Sequence, residues 1–95
     1  MHTFEEQYEW DAKKSAANLA KHGIDFADAI DVFSDSGAVA LFDEHPDEER
    51  YVMLGIDRLL RVIVVVFTHR DDVVRLISAR KATTTEARLY AAENP

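Results

Sequence analysis

The groups able to do chemistry in this chain are cations strung along its second half: Arg50, Arg58, Arg61, Arg75, Arg80 and Lys81, with Lys21 and His22 further back. Arginine stays charged and offers two parallel N–H donors, a fork that fits the oxygens of a phosphate. Gathered at strand ends, such residues make a phosphate-binding surface. Standing singly at outward positions, they keep a sheet soluble. Other chemistries find little support, since the chain has no nucleotide-loop glycine motif, no HExxH and no GxSxG. The absence of Cys removes disulfides, thiolate zinc sites and a cysteine nucleophile. His2, His22, His45 and His69 are too widely separated for ligand spacing on one helix face. The acids Asp43, Glu44, Asp47, Glu48 and Glu49 lack the Gly hinge and alternating oxygen ligands of an EF-hand, so they read as a solvated loop. Neither a metal nor a cofactor is expected.

The formal net charge of −7 argues against a polyanionic partner only if it is evenly spread. Residues 1–49 carry 3 Lys or Arg against 13 Asp or Glu, net −10; residues 50–81 carry 7 against 3, net +4; residues 82–95 carry 1 against 2, net −1. The average conceals a basic half. A length of 95 residues fits one domain over residues 1–95, and 47% hydrophobic residues with 3 Gly and 2 Pro describe a chain that folds. The longest apolar run, Val62 to Phe67, falls far short of the roughly 20 residues that span a bilayer. No membrane association is expected, and without an apolar leader at its start the cytoplasm is the expected compartment.

Local signals then place these residues on elements. A strand is predicted from about Thr3 to Trp10. Asp11 caps a helix over Ala12 to His22, closed by Gly23, with Lys21 and His22 complementing its carbonyl end. A second helix opens at Asp25 and buries Phe26, Ala29, Ile30 and Phe33 at helical spacing. Ser34 to Gly37 is a turn, Val39 to Phe42 a short strand, and Asp43 to Glu48 an acidic loop around Pro46. Strands follow at about Glu49 to Ile56, Leu59 to Thr68 and Val73 to Ala79, with turns at Asp57-Arg58 and His69 to Asp72 short enough to demand antiparallel pairing. Strict alternation puts Arg75 and Arg80 on opposite faces unless a bulge intervenes. Thr83 and Glu86 form a capping box for a last helix, Thr84 to about Ala92. The expected fold class is α+β: an antiparallel sheet of about four to five strands packed with two N-terminal helices and a C-terminal helix.

Taken in order, Trp10-Asp11, Lys14, Asn18, Lys21-His22-Gly23-Ile24, Phe26, Ala29 and Val32-Phe33, then Glu49-Arg50, Gly55, Val64 to Thr68 and Ile77-Ser78-Ala79-Arg80-Lys81-Ala82-Thr83 with Glu86 and Tyr90, resemble a known pattern. It is that of the BrnT family of toxins from bacterial type II toxin-antitoxin systems. The likeness spans about residues 8 to 90 and is densest in WDxxKxxxNxxKHGIxF and ISARKAT. The resemblance implies a small RelE-like ribonuclease that cleaves RNA and arrests translation. It also implies a BrnA-type antitoxin as protein partner, with promoter DNA bound only through the toxin-antitoxin complex.

Cleavage of RNA without a metal uses the ribose 2′-hydroxyl as nucleophile, so the protein must move protons and stabilise charge on phosphorus. Within the resemblance Arg80 is expected to hold the scissile phosphate and Arg50 to assist it. Histidine is the side chain suited to proton transfer near neutrality, so His22 is the expected acid or base, with Glu49 a further base. Lys21, Arg80 and Lys81 are expected to contact RNA. Tyr8 and Trp10 fit core packing better than base stacking, and Asp11 and Asn18 read as capping and helix-surface residues. The chain departs from the family pattern at Ser36, Phe67, Thr84 and Thr85. These departures motivate an alternative, a weak or inactive homologue acting as a protein-binding module or co-repressor.

Overall fold

Helix α1 (Ala12–His22) begins where the sequence supplies a cap. In the computed structural model, which describes residues 7–42 and 49–95, the Asp11 carboxylate accepts hydrogen bonds from the N–H groups of Lys13 (2.8 Å) and Lys14 (3.1 Å). These satisfy two of the donors that a helix start leaves unpaired. The helix ends at Gly23, whose φ of 74° is the left-handed conformation that glycine adopts without strain. Asp25 then caps α2 (Phe26–Ala29), which tightens into a 3₁₀ helix over Ile30–Ser34.

Five strands complete the structure: β1 (Tyr8–Glu9), β2 (Val39–Leu41), β3 (Tyr51–Ile56), β4 (Val62–Arg70) and β5 (Val73–Lys81). They lie in the order β1-β5-β4-β3-β2. The expected all-antiparallel sheet is corrected at one edge, where β1 runs parallel to β5 with Tyr8 opposite Val74 and Glu9 opposite Arg75. Short turns fix the direction only of the strands they join, and β1 reaches β5 from the far end of the chain. Of the expected first strand, the part before Gln7 lies outside the described residues, as does the acidic loop Asp43 to Glu48.

The strand ends also shift, for reasons that lie in the turns. Asp71 and Asp72 both have positive φ, 51° and 67°, the two-residue arrangement that lets the β4–β5 ladder continue to Arg70 and Val73. At the β3–β4 turn the buried Asp57 carboxylate accepts from the N–H groups of Leu59 (3.0 Å) and Arg61 (2.8 Å) and from Arg61 Nε (2.8 Å). Arg61 also donates from Nη1 to the Gly23 carbonyl (2.9 Å). This arginine therefore ties a turn to the end of α1, a structural use of a residue counted among the candidate cations.

A bulge resets the alternation of β5. Val66 faces Ser78 and Phe67 faces Leu76, which leaves Ile77 without an opposite residue. Val74, Leu76, Ala79 and Lys81 consequently point to the side covered by α1 and α2, while Arg75, Ser78 and Arg80 share the other side. On the α1 side, Ile24, Phe26, Ala29, Ile30 and Val32 pack against Ile63, Val65, Phe67, Leu76 and Ala79. Gly55 lets the 3₁₀ helix close down on β3, since a Cβ there would stand 2.9 Å from Val32 Cγ1.

Helix α3 (Thr84–Glu93) lies on the other side of the sheet and buries none of its own residues. Its fastenings are polar: Glu86 to Arg80, Tyr90 Oη donating to Asp35 Oδ2 (2.7 Å), and Asn94 Nδ2 donating to the Gly37 carbonyl (2.9 Å). No helix among the described residues is long and apolar enough to cross a membrane.

Asn18, read from sequence as a helix-surface residue, is buried between α1 and β5. Its Nδ2 donates to the carbonyls of Ala79 (2.8 Å) and Ile24 (2.9 Å), and its Oδ1 accepts from the Ala79 N–H (3.0 Å). The side chain thus takes the place of a strand neighbour where β1 has already ended. Asn18→Ala, which leaves those buried groups unpaired, is expected to lower the folding free energy by about 3 kcal/mol. Asn18→Asp should not restore it, because a carboxylate cannot donate to the two carbonyls; urea denaturation of both variants measures this.

Candidate functional site: the arginine face

The bulge places Arg75 and Arg80 on one face, and the remaining strands add to it. Thr68 and Val64 of β4 stand opposite Arg75 and Arg80, so Arg70 shares their side. Arg50 precedes Tyr51, whose partner Phe67 points into the α1-side core, so alternation turns Arg50 toward the same face as Thr68. Arg50, Arg70, Arg75 and Arg80 therefore belong to one side of the sheet. Where α3 crosses this side, Leu54 and Val64 are buried; beyond it Val52, Val66, Thr68 and Ser78 are only half-buried. The result is an open floor, apolar at its centre, with arginines spread around it.

The arginines differ in how they are held. Arg80 grips the Glu86 carboxylate with both terminal nitrogens, Nη1 to Oε1 at 2.8 Å and Nη2 to Oε2 at 2.9 Å. Glu86 Oε1 accepts in addition from the Thr83 N–H (2.9 Å), and Thr83 Oγ1 accepts from the Glu86 N–H (3.1 Å), completing the capping box. Hydrogen bonding to Arg80 outweighs burial and takes the Glu86 carboxyl from its ordinary 4.5 down to about 2, and the same contact raises Arg80. Arg75 sits 3.6 Å from Glu9 on the neighbouring β1.

The residues expected to act together do not all meet. Arg50 stands one residue before Tyr51, the partner of Phe67, and Arg80 is opposite Val64, two strands over, which puts their Cα atoms about 16 Å from one another. Glu49 is exposed beside Arg50, its carbonyl accepting from Thr68 Oγ1 (2.7 Å). Lys21, His22 and Lys81 form a separate group. Asn18 sits level with Ala79, and from there α1 and β5 each advance about 6 Å to His22 and Lys81. Lys81 points to the α1 side, so this corner is across the sheet from Arg80. Glu49 and His22 lie at opposite ends of the sheet and cannot serve one phosphate together. His69 is exposed, its ring against Tyr51 (5.1 Å) and Phe67 (5.8 Å). Tyr8 stacks on Phe33 (5.2 Å) and Trp10 meets Phe26 edge-on (6.1 Å), the packing roles expected of them. Sequence reasoning missed Arg70 and the Arg80–Glu86 grip; the only local signal for the latter is the capping glutamate itself.

The family model described as the ribonuclease toxin BrnT of type II toxin-antitoxin systems matches residues 10–86. The 1.1 Å crystal structure of the Brucella abortus ribonuclease toxin BrnT aligns with 79% of this chain and 94% of its own at 31% identity and a TM-score of 0.64. No curated protein sequence matches the chain.

The Glu86 carboxylate makes the arginine face sensitive to acid. Its folded pKa lies below the ordinary value, so its contribution to stability is complete above about pH 4.5 and disappears as pH falls toward 2. Urea denaturation across this window should show the wild type losing stability on acidification, with a smaller loss in Glu86→Gln.

Proposed function

This chain belongs to the BrnT family of ribonuclease toxins of type II toxin-antitoxin systems, and from that premise we propose a metal-independent endoribonuclease that arrests translation. In this reading the fold is RelE-like, the protein acts in the cytoplasm, and a BrnA-type antitoxin silences it, promoter DNA being bound only through the complex. The observation that carries the proposal is the bulge at Ile77, which turns Arg75 and Arg80 to the side that Arg50 and Arg70 occupy. A chain of net charge −7 thereby acquires one face on which a polyanion is attracted.

Arg80 holds the scissile phosphate and stabilises the charge that develops as the 2′-oxygen attacks phosphorus and the 5′-oxygen leaves. Arg50 and Glu49, at the other end of the floor, hold a neighbouring nucleotide. Lys21 and Lys81 take the RNA where it rounds the end of β5, and His22, beside them and across the sheet from Arg80, is the proton carrier for the RNA at that corner. A second reading, a binding module or co-repressor without nuclease activity, is favoured by one observation, the carboxylate already lodged against Arg80.

Antitoxin-free protein should cut RNA in the presence of a chelator, and Arg80→Ala should slow cleavage about 100-fold while circular dichroism still reports the fold. If the wild type leaves varied RNAs intact and its expression does not halt growth, the nuclease reading is wrong. A stable antitoxin complex from such an inactive chain would establish the second reading.

A further inference from the structure

A guanidinium has five N–H donors arranged along two accessible forks, one between the terminal nitrogens and one along the Nε edge. Glu86 occupies the first fork of Arg80, at 2.8 and 2.9 Å, and the Lys81 carbonyl takes the second N–H of Nη1 at 3.3 Å. Nε and the outer N–H of Nη2 remain. Among the described residues they have no acceptor, and the Arg80 side chain is 41% exposed. One fork is fastened and the other is left open.

The fastening is itself braced. Glu86 is in the first turn of α3 and its Oε1 is shared with the Thr83 N–H, so the capping box fixes the carboxylate and the carboxylate fixes the guanidinium. An arginine held this way has surrendered its rotamer freedom before any ligand arrives, and it presents a planar edge in one orientation. We propose that Glu86 is a positioning residue that locks Arg80 so that the Nε–Nη2 edge receives an RNA phosphate, without itself touching the substrate. The proposal rests on the reading of Arg80 as the phosphate-binding residue. It has an opposite, in which Glu86 merely competes with phosphate for Arg80, and the two predict opposite signs.

The experiment measures kcat and KM for RNA cleavage in wild type, Glu86→Ala, Glu86→Gln, Arg80→Ala and the Arg80→Ala/Glu86→Ala pair, with Tyr90→Phe as a control that loosens the other end of α3. Positioning predicts that Glu86→Ala lowers kcat about tenfold with a smaller change in KM, and that Glu86→Gln, keeping one acceptor oxygen, falls between it and wild type. The double variant should be no slower than Arg80→Ala alone, since Glu86 acts only through Arg80. Tyr90→Phe should lower the thermal midpoint and leave kcat unchanged. The Arg80 Nε–H resonance should shift on adding inorganic phosphate in wild type and not in Glu86→Ala, a readout independent of turnover. Glu86→Ala cleaving at the wild-type rate or faster, or losses that multiply in the double variant, would overturn the positioning role while leaving Arg80 in place. An Arg80→Ala variant as active as wild type would remove the reading beneath it and this inference as well.

Discussion

The side-chain amide of Asn18 is the joint on which the arrangement depends. β1 contributes only Tyr8 and Glu9, so the outer edge of β5 is unpaired by the time it reaches Ala79. A buried N–H and C=O left there would each forfeit about 1–3 kcal/mol. Asn18 meets both with one donor and one acceptor, and its remaining donor holds the Ile24 carbonyl at the corner between α1 and α2. No apolar side chain could do this, because the constraint is directional. The same contact fixes the level of α1 along β5, which is why the Lys21-His22 end arrives beside Lys81.

The two faces of the sheet consequently have different tasks. The α1 side is closed by a continuous apolar core from Ile24 to Phe67 and carries the aromatic contacts of Tyr8, Trp10 and Phe33. The α3 side is half open and collects charge. Ile77, the residue without an opposite partner, decides this division. Strict alternation through nine residues without that bulge would set Arg75 and Arg80 on opposite sides of the sheet. Arg61 shows that positive charge alone does not mark a ligand site, since its guanidinium is spent on Asp57 and the Gly23 carbonyl.

What was legible in the sequence was whatever a few neighbouring residues decide. The Asp11 cap, the Gly23 terminus and the Thr83–Glu86 box are local, and the structure has all three. The identity of the family was legible for the same reason, in two contiguous motifs. The direction of β1 and the burial of Asn18 are settled between residues about sixty positions apart, and the bulge at Ile77 by pairing across a hairpin; periodicity carries no information on any of them. The separation of His22 from Glu49 follows from those long-range choices. A catalogue of plausible catalytic residue types therefore could not show which of them share a face.

Helix α3 is joined to the rest of the molecule by an ion pair and two side-chain hydrogen bonds, and it contributes no buried residue. Its detachment would expose little apolar surface of its own. Elements fastened in this way belong to the low-stability end of a fold, where sub-global opening begins. An opening of α3 would uncover Leu54 and Val64 and release Arg80 from its carboxylate in the same event. The charged, fastened face of the protein is thus also the cover of an apolar one.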